Sequence, residues 1–167
     1  MKTLYIIRHA KSSWDDPDQS DFDRPLNERG KRNAPRMGKR LKEKGIHPDQ
    51  IVTSPAKRAW STGKRIAEIL KYPKENIKTI KALYHADEET ILDTVQKLND
   101  HCHVVMLVGH NPGLTDFVNT LKEDEWSLDN LPTCGVVGFS FNEDSWKKIK
   151  WGTGKLLFFD YPKNKED

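Results

Sequence analysis

The sequence has no long hydrophobic run. Its longest apolar stretches, such as residues 4–7 and 104–108, end after at most five residues, whereas a membrane-spanning helix needs roughly 20. The stretch at 4–7 is followed directly by Arg8-His9-Ala10-Lys11, so it is too short for the apolar region of a signal peptide. We therefore expect a cytoplasmic protein with no membrane partner.

Cysteine is scarce, with only Cys102 and Cys134 in 167 residues. Two cysteines give no disulfide framework, and we expect reduced thiols with a packing role. The triplet His101-Cys102-His103 has two imidazoles at close spacing, but no nearby carboxylate or further cysteine completes a four-ligand set. The sequence therefore predicts neither a metal site nor a cofactor.

A strong excess of one charge is also missing. The chain has 28 basic and 25 acidic residues, and a net charge of +3 is too balanced to indicate a nucleic-acid partner. Residues 29–44, however, hold eight Lys and Arg against a single acid, Glu43. No aromatic residues interrupt this run, which favours the solvated face of a helix, with an anionic partner as the open alternative. Residues 15–23 are the reverse, with five aspartates and no Lys or Arg.

The hydrophobic pattern predicts a layered α/β protein. Continuous β-branched runs indicate buried strands at 3–7, 51–53 and 104–108, with a short strand at 77–80. Helical periodicity and capping residues predict helices from Asn27 to Gly45, from Ser54 to Tyr72, over 88–98 and from Asn111 onward. Segments 136–141, 146–151 and 156–159 indicate antiparallel edge strands. This order predicts a three-layer α/β/α sandwich with a mostly parallel central sheet.

We expect one domain over residues 1–167, with a charged tail at 161–167. No repeat, linker or low-complexity segment divides the chain. The oligomeric state stays open, with a monomer as the expectation.

Polar residues follow three of the predicted strands. Arg8-His9 comes after the first strand, Ser54 to Arg58 after the second, and Gly109-His110 after the strand at 104–108. Because ligands bind beyond the carboxyl ends of parallel strands, we expect two histidines and two arginines at one rim. Ser54, before Pro55, is interpreted as a helix N-cap rather than a nucleophile.

Two histidines and two arginines suit phosphoryl transfer without a metal. A neutral imidazole can attack phosphorus and form a phosphohistidine that water later hydrolyses. Arginine forks bind the transferring phosphoryl group in a bidentate manner and stay protonated. Arg58 falls in the first turn of its helix, where the helix N-terminus adds to anion binding.

At these positions the sequence resembles the histidine phosphatase superfamily, whose members resemble phosphoglycerate mutase, and in particular the small phosphohistidine phosphatases of the SixA type. Four motifs, in chain order, carry the resemblance: Arg8-His9-Ala10-Lys11-Ser12-Ser13-Trp14, Asp23-Arg24-Pro25-Leu26-Asn27-Glu28-Arg29-Gly30, Ser54-Pro55-Ala56-Lys57-Arg58-Ala59-Trp60-Ser61-Thr62 and Gly109-His110-Asn111-Pro112-Gly113. The resemblance implies a phosphoglycerate-mutase-like fold. It also implies that His9 is the phosphoryl-accepting nucleophile, that Arg8 and Arg58 clamp the phosphate, and that His110 stabilises the transferring group.

Four further residues are predicted to bind substrate. Lys11 is either a rim charge or a substrate contact, and Ser12 continues the first motif. Asp15 stands where many relatives place an asparagine that touches phosphate, so its carboxylate must turn away or be protonated. Asp23 either forms an orienting ion pair with Arg24 or acts as a proton donor or positioning group.

The general acid of the mutase-like members has no clear counterpart. The nearby titratable residues are His85, Asp87, Glu88 and Glu89. A phosphoramidate expels imidazole with less acid assistance than an ester needs to expel an alkoxide, which favours phosphohistidine as substrate. No insertion is long enough for a capping subdomain, so we expect a rim open to a phosphorylated protein. The alternatives are a small-molecule phosphomonoesterase and a non-catalytic module that binds phospho-ligands or polyanions.

Overall fold

The computed structural model describes residues 1–164; the last three residues of the predicted charged tail, 165–167, lie outside the described part. The described residues form six strands and four α-helices. The strands are β1 (Lys2–Arg8), β2 (Gln50–Thr53), β3 (Lys78–Thr79), β4 (Val104–Gly109), β5 (Val136–Phe141) and β6 (Lys155–Asp160). The helices are α1 (Glu28–Glu43), α2 (Lys57–Leu70), α3 (Glu88–Gln96) and α4 (Gly113–Leu121).

The strands form one mixed sheet in the order β3-β2-β4-β1-β5-β6. The first four positions are joined by parallel pairs, while β5 runs antiparallel to both β1 and β6. Because β1 and β4 are buried on both faces, they consist of continuous apolar runs rather than alternating ones. The predicted three-layer α/β/α sandwich with a mostly parallel sheet is confirmed.

Side chains of β1 divide between two apolar clusters. Leu4 and Ile6 belong to the cluster that includes α3 and α4, whereas Tyr5 and Ile7 belong to the cluster that includes α1 and α2. Successive side chains of a strand point to opposite faces, so each face of the sheet carries one helix pair. The carboxyl ends of the parallel strands β1, β2 and β4 lie at the same edge of the sheet.

The capping signals of α1 are confirmed. Asn27 is the N-cap, and its side chain accepts a hydrogen bond from the backbone N–H of Gly30 at 2.9 Å. Gly45 follows the helix with a φ of +75°, the left-handed conformation that glycine adopts at little cost. Arg40, near the end of α1, donates to the carbonyl oxygens of Tyr161 and Pro162, which holds residues 161–162 against the helix.

The strand predicted at 146–151 is wrong. Trp146 begins a 3-10 turn and is fully buried in the core against α3 and α4. Its indole N–H donates to the Cys102 carbonyl and its backbone N–H to Asp100, so this segment bonds to the β4 entry instead of to a strand. The edge strand is β6, which pairs with β5.

Among residues 1–164, no helix is long and apolar enough to cross a membrane.

Candidate active site

The register of the sheet aligns the ends of three strands. Arg8 pairs with Gly109 across β1 and β4, and Thr53 pairs with Val108 across β2 and β4. The residues that follow these ends meet at one rim, where the ring centroids of His9 and His110 lie 5.2 Å apart. The sequence-based expectation that these strand ends converge is therefore confirmed.

His9 is buried and held as a single tautomer. Its Nδ1 lies 2.7 Å from the carbonyl oxygen of Ala10. A carbonyl can only accept, so Nδ1 carries the proton and Nε2 keeps a free lone pair. Desolvation, opposed by the Ala10 bond and assisted by the Arg58 and Arg8 charges, lowers the pKa of His9 to about 4. The ring is thus neutral at pH 7, the protonation state that a histidine nucleophile requires.

His110 is also buried, and its Nε2 lies 2.7 Å from the hydroxyl oxygen of Ser54. Desolvation, together with the repulsion that a protonated His110 would feel from a protonated His9 and from Arg58, lowers the pKa of His110 to about 3. Its Nδ1 is buried with no hydrogen-bond partner among the described residues.

The N-cap role predicted for Ser54 is wrong, because α2 begins at Lys57 with Ala56 as its cap. Ser54 instead orients the His110 ring.

Two guanidinium groups complete the cluster. Arg8 donates from Nη1 to the carbonyl of Leu131, while its Nε is buried without a partner among residues 1–164. Arg58 lies in the first turn of α2, as predicted, and is only 5% exposed. Burial lowers the pKa of Arg8 and of both histidines, and the Arg58 charge lowers all three further. Such a cluster of cations and neutral imidazoles suits a dianionic phosphoryl group.

Asp21 is the residue of this rim that the sequence analysis missed. Its carboxylate accepts from Tyr84 (2.6 Å), Arg24 (2.9 Å) and Arg58 (3.0 Å), and its carbonyl accepts a second bond from Arg58 (2.6 Å). These donors, with the Tyr84 hydroxyl first, hold the pKa of Asp21 well below its usual range. Asp21 is therefore a permanent anion that positions Arg58, and it is a poor proton donor.

The predicted ion pair between Asp23 and Arg24 is wrong. Both residues follow Ser20, and the 3-10 turn Asp21–Asp23 directs Asp21 onto Arg24 while Asp23 bonds to the Ser20 hydroxyl at 2.8 Å. A side chain three residues before an arginine on a helical turn lies on its face, so the spacing from Asp21 to Arg24 was the available signal.

The other predicted substrate contacts lie around the cluster. Ser12 is buried, and its hydroxyl bonds to the Arg24 guanidinium. Lys11 is exposed, with its side chain in a cleft beside the rim. Asp15 is exposed, and its carboxylate has no hydrogen bond to His9, His110 or either arginine. Of the four, only Ser12 connects to the cluster, through Arg24 and Asp21.

Two of the candidate acids have defined positions. His85 is exposed, lies against Tyr84 with ring centroids 3.9 Å apart, and places Nε2 3.8 Å from the Asp21 carboxylate. Asp87 is the N-cap of α3 and accepts from Thr90 at 2.9 Å, which lowers the pKa of its carboxyl group. Glu88 and Glu89 lie in the first turn of α3. None of the four forms a hydrogen bond to His9 or His110 in the described structure.

Comparison with known proteins gives relatives along nearly the whole chain. An uncharacterized chloroplastic protein of Arabidopsis thaliana is 27% identical over 155 residues, which are 88% of this chain and 70% of that protein. The structure of a candidate phosphohistidine phosphatase SixA from Agrobacterium tumefaciens is 28% identical, with a TM-score of 0.81 over 96% of this chain and 98% of that one. The protein histidine phosphatase SixA complexed with tungstate shares the fold, with a TM-score of 0.81 at 22% identity over 96% and 97% of the two chains.

The family model of the histidine phosphatase superfamily (branch 1) matches residues 4–96. This range covers more than half of the chain and includes His9, Asp21 and Arg58. The structural neighbours cover 96% of this chain, so the similarity of fold extends beyond residue 96. The chain belongs to the histidine phosphatase superfamily and is similar in structure to its SixA-type members.

Proposed function

We propose that this protein is a phosphohistidine phosphatase that acts through a covalent phosphohistidine on His9. The observation that carries the proposal is the buried His9 ring, whose Nδ1 is committed to the Ala10 carbonyl while Nε2 keeps a free lone pair, and whose centroid lies 5.2 Å from that of His110. Burial lowers the pKa of this ring, and the Arg58 and Arg8 charges lower it further. The similarity to SixA-type proteins, one of them complexed with tungstate, supports an oxyanion site of this kind.

The reaction has two displacements at phosphorus. In the first, the Nε2 lone pair of His9 attacks, the bond from phosphorus to the substrate imidazole breaks, and the leaving imidazole nitrogen keeps the electron pair and takes up a proton from water. In the second, water attacks the phosphorylated His9, the new bond between phosphorus and nitrogen breaks, and its electron pair returns to Nε2. The water proton leaves with phosphate or passes to solvent.

Each neighbouring side chain has a role in this scheme. Arg8 and Arg58 stabilise charge on the equatorial oxygens, with Arg58 aimed by its two bonds to Asp21. His110 is oriented by its bond to Ser54, and its ring lies beside the His9 ring, where it stabilises the transferring phosphoryl group. The arginines supply the positive charge that a metal supplies in other phosphatases, so we expect turnover without a metal or cofactor.

Among residues 1–164, no carboxyl group forms a hydrogen bond to His9 or His110, which favours a phosphoramidate over an ester. Asp21 is held ionised, and Asp87 caps α3, so neither offers a proton to an alkoxide. An imidazole leaving group needs less help. A small-molecule phosphomonoesterase is the second candidate, and His85 beside Tyr84 is the group that would supply its acid.

The test compares three substrates with purified protein: a phosphohistidine peptide, phosphoramidate and a sugar phosphate, each with and without a chelator. We expect turnover of the first two, little of the third, and no effect of the chelator. His9→Ala should abolish turnover, and an alkali-stable, acid-labile phosphoryl label should form on the wild type alone. Faster turnover of the sugar phosphate would support the phosphomonoesterase. Retention of ligand without turnover would support the binding module.

A further inference from the structure

A cleft beside the rim collects exposed positive charge. Lys11, Arg29 and Lys163 line it, together with Asn33, Pro132, Thr133, Tyr161 and Pro162; we name this set the cationic cleft. All three cations are exposed, and the lining includes no Asp or Glu. None of the three forms an ion pair with a residue in 1–164. Glu28, the neighbour of Arg29, is directed to Lys31 at 3.4 Å.

The cationic cleft is joined to the backbone around His9. Lys11 follows His9 by two residues, and its carbonyl accepts a bond from Asn27 at the start of α1. On the other wall, Thr133 precedes Cys134, whose N–H donates to the carbonyls of Arg8 (3.0 Å) and His9 (3.1 Å). Both walls of the cleft are therefore connected to the backbone at or next to His9.

The size and chemistry of the cleft indicate what it can hold. Its volume of about 170 Å³ is below the roughly 300–1,000 Å³ of sites for drug-sized ligands. Side chains of a docked polypeptide fit such a space. Ammonium and guanidinium groups beside the amide of Asn33 and the hydroxyl of Thr133 offer hydrogen-bond donors to carboxylates.

We infer that the cationic cleft binds acidic side chains that flank the phosphorylated histidine of a protein substrate. The inference rests on the proposed function and adds to it a preference for acidic sequence context. Exposed charge pairs contribute little individually, so two or three of them should change kcat/KM by about 2- to 10-fold. The effect should vanish in high salt, because exposed charges are screened.

The experiment uses two phosphohistidine peptides of equal length, one with glutamates and one with glutamines around the histidine, and phosphoramidate as a substrate without flanks. The double variant Arg29→Gln, Lys163→Gln removes two charges from the cleft. The matched control, Lys39→Gln, Lys42→Gln, removes two charges from exposed α1 positions outside it. We expect the wild type and the control to prefer the glutamate peptide, and the cleft variant to lose that preference while its phosphoramidate rate stays unchanged.

Binding of the unphosphorylated peptides, measured by fluorescence anisotropy at low salt, separates the two proposals. Tighter binding of the glutamate peptide that depends on Arg29 and Lys163 supports the proposal that the cationic cleft binds acidic side chains, even if no phosphohistidine is hydrolysed. A lack of hydrolysis would overturn only the proposed function. The proposal that the cationic cleft binds acidic side chains is overturned if the wild type binds and turns over both peptides equally. It is also overturned if the control loses the preference for the glutamate peptide as the cleft variant does.

Discussion

Arg58 connects Asp21 with the two histidines of the rim. It is buried, its guanidinium makes two bonds to Asp21, and its charge acts on both histidines. Arg58→Ala should lower kcat by about 10²-fold or more, because a preorganised positive charge is lost from the transition state. Arg58→Lys should restore little, since a point charge cannot reproduce the planar fork. Steady-state kinetics with phosphoramidate as substrate measure both effects. Full activity in either variant would contradict the role of Arg58 in stabilising the transition state.

Asp21 and Tyr84 form the second residue-scale test. Tyr84→Phe removes one bond to the carboxylate and leaves both arginine bonds, so we expect a fall of about 2- to 10-fold in kcat/KM. Asp21→Asn removes the charge that aims Arg58 and should cost more. Asp23→Asn is the matched control, because its exposed carboxylate lies on the same 3-10 turn and bonds only to Ser20. An equal loss in all three variants would show that the turn, and not the Asp21 charge, matters.

The two histidines give a titration prediction. A histidine in water has a pKa of about 6.5, whereas burial lowers the pKa of His9 to about 4 and that of His110 to about 3. Both rings should stay neutral from pH 8 down to about pH 5. NMR chemical shifts of the imidazole carbons measure this directly, with apparent midpoints that belong to the pair. A midpoint near 6.5 for either ring would contradict the neutral nucleophile.

At the scale of elements, the contact between α1 and the first loop holds the His9 segment in place. Gly30 packs so closely on this loop that an added Cβ would overlap the Lys11 carbonyl oxygen. A Gly-to-Ala change inside a helix usually stabilises by about 0.5–1 kcal/mol. Gly30→Ala should instead destabilise, because backbone must move, and it should lower activity by shifting residues 9–12. Urea unfolding checks this against Lys31→Ala on the exposed side of α1; a stabilised Gly30→Ala would refute it.

The elements that could be predicted from sequence are those whose pattern has one solution. The continuous run at 104–108 is a buried strand, and Asn27 with Gly45 bounds α1, because capping and φ preferences are local. The strand prediction for 146–151 was wrong because the apolar residues of this segment pack into the core from a 3-10 turn. Over a few residues, the apolar pattern of a strand cannot be distinguished from that of another buried segment. The N-cap prediction for Ser54 was wrong because the hydroxyl of a serine before a helix can bond to a side chain distant in sequence, here the His110 ring, as well as to the helix backbone.

Over the whole molecule, the convergence of His9, Arg58 and His110 could be predicted because chain order determines which strand ends meet. The Asp21 and Tyr84 pair could not, since 63 residues separate them and their contact depends on how two loops fold over the rim. Long-range contacts between loops have no periodic pattern in a sequence. The cationic cleft was invisible for the same reason, as it joins residues 11, 29 and 163.

Burial of two neutral histidines makes the stability of the whole fold depend on pH. Their folded pKa values lie below the unfolded value of about 6.5, so the unfolded chain binds protons first as the pH falls. The free energy of unfolding should therefore decrease from about pH 6.5 down to about pH 4 for His9 and about pH 3 for His110, by about 1–2 kcal/mol for each ring at pH 5. Asp21 acts in a lower window, because its depressed pKa gives stability that is lost only below the unfolded value of about 3.9.

Urea unfolding of the wild type at pH 7.5, 6 and 5 measures the first window, and His9→Gln supplies the comparison. The variant cannot take up a proton at position 9, so its free energy of unfolding should fall less between pH 7.5 and 5 than that of the wild type, by about 1–2 kcal/mol. The comparison is internal to each protein, so any change in stability at pH 7.5 that the substitution itself causes is removed. Parallel decreases in both proteins would mean that His9 titrates alike in the folded and unfolded states, and the ring would then not be held neutral by burial.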